Sequence, residues 1–402
     1  MPNALKGTKM NDSPTLKSLE LFAGAGGLAL GTAAAGFRHS AVVEKDAIAC
    51  STLFANSSRS VARAGDWKII EADIATIDLS PYVGIDLLCG GPPCQPFSMG
   101  GARRGRNDDR DMFPTFIDSI AKCRPKAFLI ENVKGITAGS FMEYFLYLNL
   151  RLTFPTVTRR LGEKWTEHRS RLERLFTSGR KAELCYNVIH EVLNSADYGV
   201  PQRRQRVFIV GIRSDLGVEY SFPQATHSSE DLLHDQWVSG IYWDEHKVAT
   251  KARPVRPKMS SPISSSKIRW RTVRDAIHNL PKPTVGKPVP MFNHFLNPGA
   301  RLYKGHSGSP LDWPAKTLKA GQHGVPGGEN MVRLPDESVR YFSIRECARL
   351  QGFPDDWEFK GSWCNCMRQV GNAVPVDLAR VVAEPLAAAL RNFTAAPKQP
   401  LG

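Results

Sequence analysis

The stretch SLELFAGAGGLALG, residues 18–31, decides how this chain is read. SLELFAG reads as a short buried strand, and GLALGTAAAGF is compatible with a helix. FAGAGG (22–27) therefore closes a strand and opens a helix, and its glycines let a ligand approach the backbone where adenine-containing cofactors sit. A purely structural tight turn would look the same. Further strand-like runs follow: HSAVVEKD (39–46), WKIIEADI (67–74), GIDLLCGG (84–91), KAFLIENV (126–133) and VFIVGIR (207–213). Helix-compatible segments such as DAIACSTLFANS lie between them. The alternation predicts an α/β fold, a doubly wound Rossmann-like sheet of parallel strands joined by helices, with ligands at the carboxyl ends of the strands.

The 402 residues carry 53 Lys and Arg against 39 Asp and Glu, a net charge of +14. Such a surface suits a polyanionic partner, although many basic proteins bind no nucleic acid. No apolar run approaches the roughly 20 residues that span a bilayer, and the first residues lack a signal-peptide stretch. No membrane association and a cytoplasmic location are expected. The 8 cysteines are scattered without a CxxC pair, and Cys364 and Cys366 are wrongly spaced for zinc, so free thiols and no metal are expected.

Residues 141–195 read as long and helical. Within 151–180 stand 8 Lys or Arg and 3 Glu, either a solvated face or a nucleic-acid-facing insertion. Past residue 215 prolines, serines and glycines thicken, and 246–274 holds 9 Lys or Arg and no acid. This texture predicts a second, smaller, irregular domain that presents side chains rather than building a core. The organisation expected is a tail (1–16), a catalytic and cofactor-binding domain (17–217), a recognition domain (218–342), a return segment with a final helix completing the first domain (343–396), and a tail (397–402).

Glu44 ends the second strand-like run about 20 residues after the glycines, where a carboxylate can accept from both ribose hydroxyls. Asp73 follows the third run, in reach of an adenine amino group. The G-A-G-G spacing departs from the dinucleotide fingerprint, and no Walker lysine is present. A nucleoside cofactor without pyrophosphate, S-adenosylmethionine, fits better. In GGPPCQPFS (90–98) two prolines stiffen the turn that carries Cys94, which sets it at the edge of the sheet. Cys94 there can be a nucleophile with a lowered pKa or a packed thiol. Glu131 and Asn132 end the next run. If the target is a cytosine, thiolate addition at C6 requires protonation or strong hydrogen bonding at N3, which Glu131 can supply; a strand-end salt bridge is the alternative. Arg204 and Arg206 stand two apart at the start of a strand and face one side, able to hold a base carbonyl or a phosphate, or to form a basic strand edge.

The ordered set LELFAGAGGLALG, VVEKD, EADI, GGPPCQPFS, LIENVKG, VPQRRQRVFIVGIR, SIRECARLQGFP and QVGNAVP resembles the DNA cytosine-5 methyltransferases of bacterial restriction-modification type over most of the chain. The resemblance implies a class I methyltransferase sheet with a target-recognition domain. It implies that Cys94 adds to C6 of cytosine, that Glu131 contacts N3 and the exocyclic amine, and that Arg204 and Arg206 contact the base and brace the site. Gln95, Ser98 and Asn132 are the implied substrate-side residues. Phe22, Ala23, Gly24, Gly26 and Gly27 would line the cofactor's methionine and adenine, Glu44 its ribose, and Asp73 with Ile74 its adenine. Pro93, Asn372 and Val374 would close the same pocket, which assigns the final helix to the first domain. Lys45 departs from the bulky apolar residue that several relatives place against the adenine.

The run SMGGARRGRNDDRD after Phe97 corresponds to a loop that closes over DNA, with Arg103, Arg104, Arg106 and Arg110 facing phosphates. The implied reaction leaves S-adenosylhomocysteine and 5-methylcytosine in a base flipped out of double-stranded DNA. The expected protein is a monomer, nucleoid-associated through DNA, paired functionally with a restriction endonuclease without a stable complex. Two rivals are a tRNA cytosine-5 methyltransferase on the same fold and a catalytically silent DNA-binding module. Ser98 and the long recognition region argue against the first; Cys94, Glu131 and Arg206 argue against the second.

Overall fold

The computed structural model describes residues 15–62, 64–93, 111–180, 182–257, 266–286, 290–304, 307–321 and 330–395. Strand β1 (Leu16–Leu21) runs into helix α1 (Gly27–Ala34), β2 (Phe37–Glu44) into α2 (Ala47–Ser57), and β3 (Ile69–Glu71) precedes β4 (Leu87–Gly90). Then come α3 (Phe113–Cys123), β5 (Ala127–Val133), α4 (Met142–Thr153), α5 (Trp165–Thr177), β6 (Tyr186–Asn194) and β7 (Gln205–Arg213). These 7 strands form one sheet in the order β3-β2-β1-β4-β5-β7-β6. The order reverses between β1 and β4, which opens a crevice at their carboxyl ends.

Side chains alternate across this sheet as the two-residue period requires. Leu19, Leu21, Leu88 and Ile130 face α3 and α4 in one buried cluster, while Leu87, Cys89, Leu129 and Phe208 belong to the layer on the other face. Both faces are covered, so the strands read as near-continuous apolar runs.

Three expectations are corrected. The run 141–195 is not helical throughout: it ends in β6, whose half-exposed alternation (Tyr186, Val188 and Val192 in, Asn187, Ile189 and Glu191 out) is that of an edge strand. WKIIEADI yields only the three residues of β3. The sheet is not all parallel, because β7 pairs antiparallel with both β5 and β6.

Past β7 lie β8 (His227–Ser228), α6 (Ser229–Trp237), α7 (Ile241–Glu245), β9 (Ile268–Arg269), α8 (Val273–Ile277), β10 (Ser309–Pro310), β11 (Met331–Arg333) and β12 (Val339–Tyr341). This region does build a core of its own, contrary to its loop-like composition. Leu232, Tyr242 and Trp243 are buried, with Trp237, Trp270 and Trp313 packed on them. A few large rings bury enough area to replace many aliphatic residues, and Tyr242 satisfies its hydroxyl on Thr272 at 2.9 Å and Asp312 at 2.8 Å.

The chain ends with α9 (Ile344–Leu350), α10 (Trp363–Asn372) and α11 (Val376–Ala395). Helix α11 lies directly on α1. A Cβ at Gly27 would stand 2.3 Å from the Val374 carbonyl oxygen, and one at Gly31 would stand 2.4 Å from the Ala379 Cβ. Two glycines one turn apart thus let the last helix close over the first. Among the described residues no helix is long and apolar enough to cross a membrane, and no cluster of three or more acidic, Cys or His side chains is arranged to hold a metal ion.

Candidate active site

The loop between β1 and α1 turns sharply. Phe22 adopts φ 58°, Gly24 55° and Gly26 87°; the first is a left-handed conformation that an aromatic residue rarely takes, and it sits at the mouth of the crevice. The loop is tied from the neighbouring strand. Gly24 N–H donates to Glu44 Oε2 at 2.7 Å, while Lys45 N–H and Asp46 N–H both donate to Glu44 Oε1 at 2.9 Å. A Cβ at Gly24 would meet nothing within 4 Å, so the space beyond its backbone is open. Gly26 differs: its Cβ would press on Leu53 at 3.0 Å. Among the glycines of this loop, then, Gly26 and Gly27 are held by packing and Gly24 borders open space.

Asp73 follows β3, half-buried, with Oδ1 accepting from Ala75 N–H at 3.0 Å. Lys45 Nζ lies 3.6 Å from Asp73 Oδ2. The position that resembles an adenine-stacking site thus holds a cation paired with the neighbouring carboxylate. Ile74 and Val374 are buried, and Asn372 and Pro93 are exposed. Phe22, Glu44, Asp73 and Pro93 stand at the carboxyl ends of β1 to β4, and the 371–374 turn reaches them through the packing of Val374 on Gly27.

Glu131 sits near the end of β5 with 7% of its surface exposed. Arg206 Nε lies 2.9 Å from its Oε1. The antiparallel direction of β7 produces this pair. Arg206 is in register with Val133, two residues from Glu131 and on the same face; a parallel β7 would carry Arg206 to the other end of the sheet. Burial pushes the Glu131 carboxyl above its usual range, against the pull of Arg206 and Arg204. A proton therefore stays on Glu131 to higher pH than on an ordinary glutamate.

Arg204 has a different surrounding. It is 1% exposed, and its Nη1 and Nη2 donate to the carbonyls of Leu318 at 3.0 Å and Gly371 at 2.8 Å. Its guanidinium braces three chain segments against one another, and the group left facing Glu131 with a free approach is that of Arg206.

Cys94, Gln95, Ser98 and the arginines at 103, 104, 106 and 110 lie outside the described residues. The two ends of that run are described. Asn132 Nδ2 donates to the Pro92 carbonyl at 2.9 Å, and Met112 N–H donates to the Pro93 carbonyl at 3.2 Å. The chain leaves and returns at one point, beside β5. A Cβ at Gly91 would stand 3.4 Å from Glu131 Oε2, so the turn approaching Cys94 passes directly over the acid.

Sequence reasoning overlooked Gln202. It is fully buried, donates from Nε2 to the Leu350 carbonyl and to Gln351 Oε1, each at 3.1 Å, and accepts from Leu318 N–H at 2.9 Å. Its place inside VPQRRQ was the available signal. Glu20, adjacent to Cys89 in the β1–β4 ladder, was also missed: the Cys89 thiol lies 3.5 Å from Glu20 Oε2 beneath the glycine loop. Cys50, Cys89 and Cys123 are buried free thiols, and burial pushes Cys50 and Cys123 up to about 12.

The family model of C-5 cytosine-specific DNA methylases matches residues 16–149 and 168–388. Type II methyltransferase M.PspPI of Psychrobacter sp. (strain TA137) is 34% identical over 94% of this chain and 80% of its own. Type II methyltransferase M.NgoMIV of Neisseria gonorrhoeae is 29% identical over 93% of this chain and 98% of its own. Among solved structures, the S. pombe Dnmt2 methyltransferase aligns with a TM-score of 0.52 at 18% identity, over 94% of this chain and 99% of that one. The last likeness concerns the fold.

Proposed function

Because the chain belongs to the C-5 cytosine-specific DNA methylases and is a DNA cytosine-5 methyltransferase, we propose how its own residues divide the work. The observation that carries the reading is the buried Arg206–Glu131 pair, 2.9 Å apart, directly under the turn that leads to Cys94.

S-adenosylmethionine fits the strand ends. The open space at Gly24, the Glu44 carboxylate fixed by three backbone N–H groups, and Asp73 form a cradle with acceptors for hydroxyl and amino groups. Bound there, it supplies an electrophilic methyl group. Phe22, Ala23, Gly24, Glu44, Asp73, Ile74 and Pro93 hold it, and Asn372 and Val374 close the cradle. Gly26 and Gly27 serve it by letting α1 start close to Trp357 and Val374.

On the substrate side, the Cys94 thiolate attacks C6 of a flipped cytosine as Glu131 gives its proton to N3. Burial keeps that proton available, and Arg206 fixes the carboxyl and takes up the negative charge it acquires. C5, now electron-rich, accepts the methyl group; loss of the C5 proton to a base, return of the N3 proton to Glu131 and expulsion of the thiolate restore aromaticity. Asn132 holds the Cys94 turn through Pro92, and Gln95 and Ser98 complete the base pocket. Arg204 braces.

Residues 218–342 read the bases flanking the target, and the flanking arginines of 103–110 meet phosphates. The named relatives are Type II methyltransferases, which supports a role in protecting DNA from a partner endonuclease that forms no stable complex with this chain. A monomer acting on double-stranded DNA in the cytoplasm, at the nucleoid, suits this role.

The test is covalent trapping. Duplex DNA carrying 5-fluorocytosine at the target, with cofactor, should yield an adduct stable to denaturation, since C5 then has no proton to lose. The adduct should vanish in Cys94→Ser; its persistence there would reject the nucleophile. Bisulfite sequencing of DNA from cells expressing the protein identifies the cytosine methylated.

A further inference from the structure

A second cavity, of about 540 Å³, lies away from the strand-end crevice, between α3, α4 and the segment that enters α5. Arg151 lines it, with 9% of its side chain exposed. Its nearest carboxylate, Asp118, is 3.7 Å from Nη2, and its buried Nε has no hydrogen-bond partner. A buried N–H donor of a guanidinium left unpaired is unfavourable unless a ligand or water meets it. Arg159 and Lys164 stand at the exposed rim, so the cavity carries three cations against Asp118. The first turn of α5, a helix of 13 residues, also borders the cavity through Trp165 and Thr166; its start is already capped by the Glu167 carboxylate, which accepts from Lys164 N–H at 3.0 Å, so an anion here would rest on the side chains.

The opposite wall is aromatic: Tyr144, Tyr147 and Trp165, with the Tyr147 and Trp165 ring centroids 5.6 Å apart. It is held rigidly. His168 Nε2 can only donate to the Val157 carbonyl, at 2.9 Å, so its Nδ1 accepts the Tyr147 hydroxyl, also at 2.9 Å. Arg151, Arg159, Lys164 and Trp165 all fall between residues 149 and 168, the interval that the family model leaves unmatched. The cavity is therefore built largely from a segment outside the two matched stretches.

We infer that this cavity binds a nucleotide, with its phosphate on the Arg151, Arg159 and Lys164 side chains and its base against the aromatic wall. The volume suits a ligand of that size. The nucleotide is either free or part of a DNA strand, since both offer the same chemistry. The inference does not depend on the methyl-transfer assignments.

The test titrates the full chain with AMP, adenosine and inorganic phosphate while saturating S-adenosylhomocysteine fills the cofactor cradle. AMP should bind at least about tenfold more tightly than either fragment, and Arg159→Ala/Lys164→Ala should weaken AMP by about tenfold or more. Binding of S-adenosylhomocysteine itself should not change. A duplex titrated against salt separates the sources. Weaker duplex affinity in the double variant, with a salt slope shallower by about 0.9 for each phosphate no longer neutralised, assigns the site to DNA. Unchanged duplex affinity with abolished AMP binding assigns it to a free nucleotide. AMP binding that disappears under S-adenosylhomocysteine, or that the double variant leaves intact along with duplex binding, overturns the inference. The double variant alters two exposed side chains and so keeps the test valid where Arg151→Gln fails to fold.

Discussion

Replacing Glu20 by glutamine probes the floor of the cofactor loop. Glu20 is fully buried in β1; one carboxyl oxygen meets the Cys89 thiol at 3.5 Å and the other has no partner. Burial, with a smaller contribution from the Glu44 charge, pushes its carboxyl up from 4.5 to about 8, against the pull of the Cys89 thiol and the Ala29 N–H. The folded chain therefore keeps this proton up to about pH 8, while the unfolded chain releases it near 4.5. Between those values the native state binds one more proton than the unfolded state, so stability falls as pH rises. At about 1.4 kcal/mol per pH unit, a displacement from 4.5 to about 8 corresponds to something of the order of 5 kcal/mol. Below 4.5 and above 8 Glu20 adds no pH dependence. Glutamine keeps the shape but cannot ionise. Urea unfolding of both proteins from about pH 5 to 9 should show wild type losing most of that energy relative to Glu20→Gln as pH climbs. His39, held down to about 4 by burial, is common to both and cancels. A stability difference that stays constant with pH would refute the reasoning.

Glu131→Gln should retain cofactor binding by calorimetry while methyl transfer collapses. In wild type, kcat/KM should decline as pH rises through the raised Glu131 pKa, because the donor form is lost, and the variant's residual rate should lack that limb. Gly31→Ala should lower the thermal midpoint strongly, because its Cβ meets Ala379 Cβ at 2.4 Å and the Val376 carbonyl at 2.6 Å, an overpacking worth about 1–3 kcal/mol or more; Gly24→Ala, with no atom within 4 Å, should cost only the backbone strain of about 1 kcal/mol. Arg204→Met strands the Leu318 and Gly371 carbonyls and should destabilise by about 2–4 kcal/mol in denaturant titration, whereas Arg206→Met should remove turnover with a smaller loss of stability.

Much of this protein is legible in its sequence because the informative residues are local. A strand, a glycine turn and a helix follow one another within 18–31, and the acids at 44, 73 and 131 stand at or close to the carboxyl end of a strand, so the period-two pattern and the turn chemistry suffice to put them on one edge. Composition was less reliable. It made 218–342 look coreless because a core built from five rings, Tyr242, Trp237, Trp243, Trp270 and Trp313, needs few apolar residues. It also hid β6, an edge strand whose exposed positions, apart from Ile189, are polar like those of a helix surface.

What the tertiary structure alone decided is how distant segments meet. Strand direction is a property of pairing, not of any strand by itself, and only the antiparallel seating of β7 brings Arg206 onto Glu131. From sequence, Arg204 and Arg206 are equivalent; packing separates them, burying Arg204 on carbonyls more than 100 residues away and leaving Arg206 for the acid. Likewise the loop glycines look alike until the Ala373–Val374 turn and α2 press on Gly27 and Gly26 and not on Gly24. Residue types and spacings determined which chemistry the chain can perform, and long-range packing, which no local pattern encodes, decided which of those residues face it.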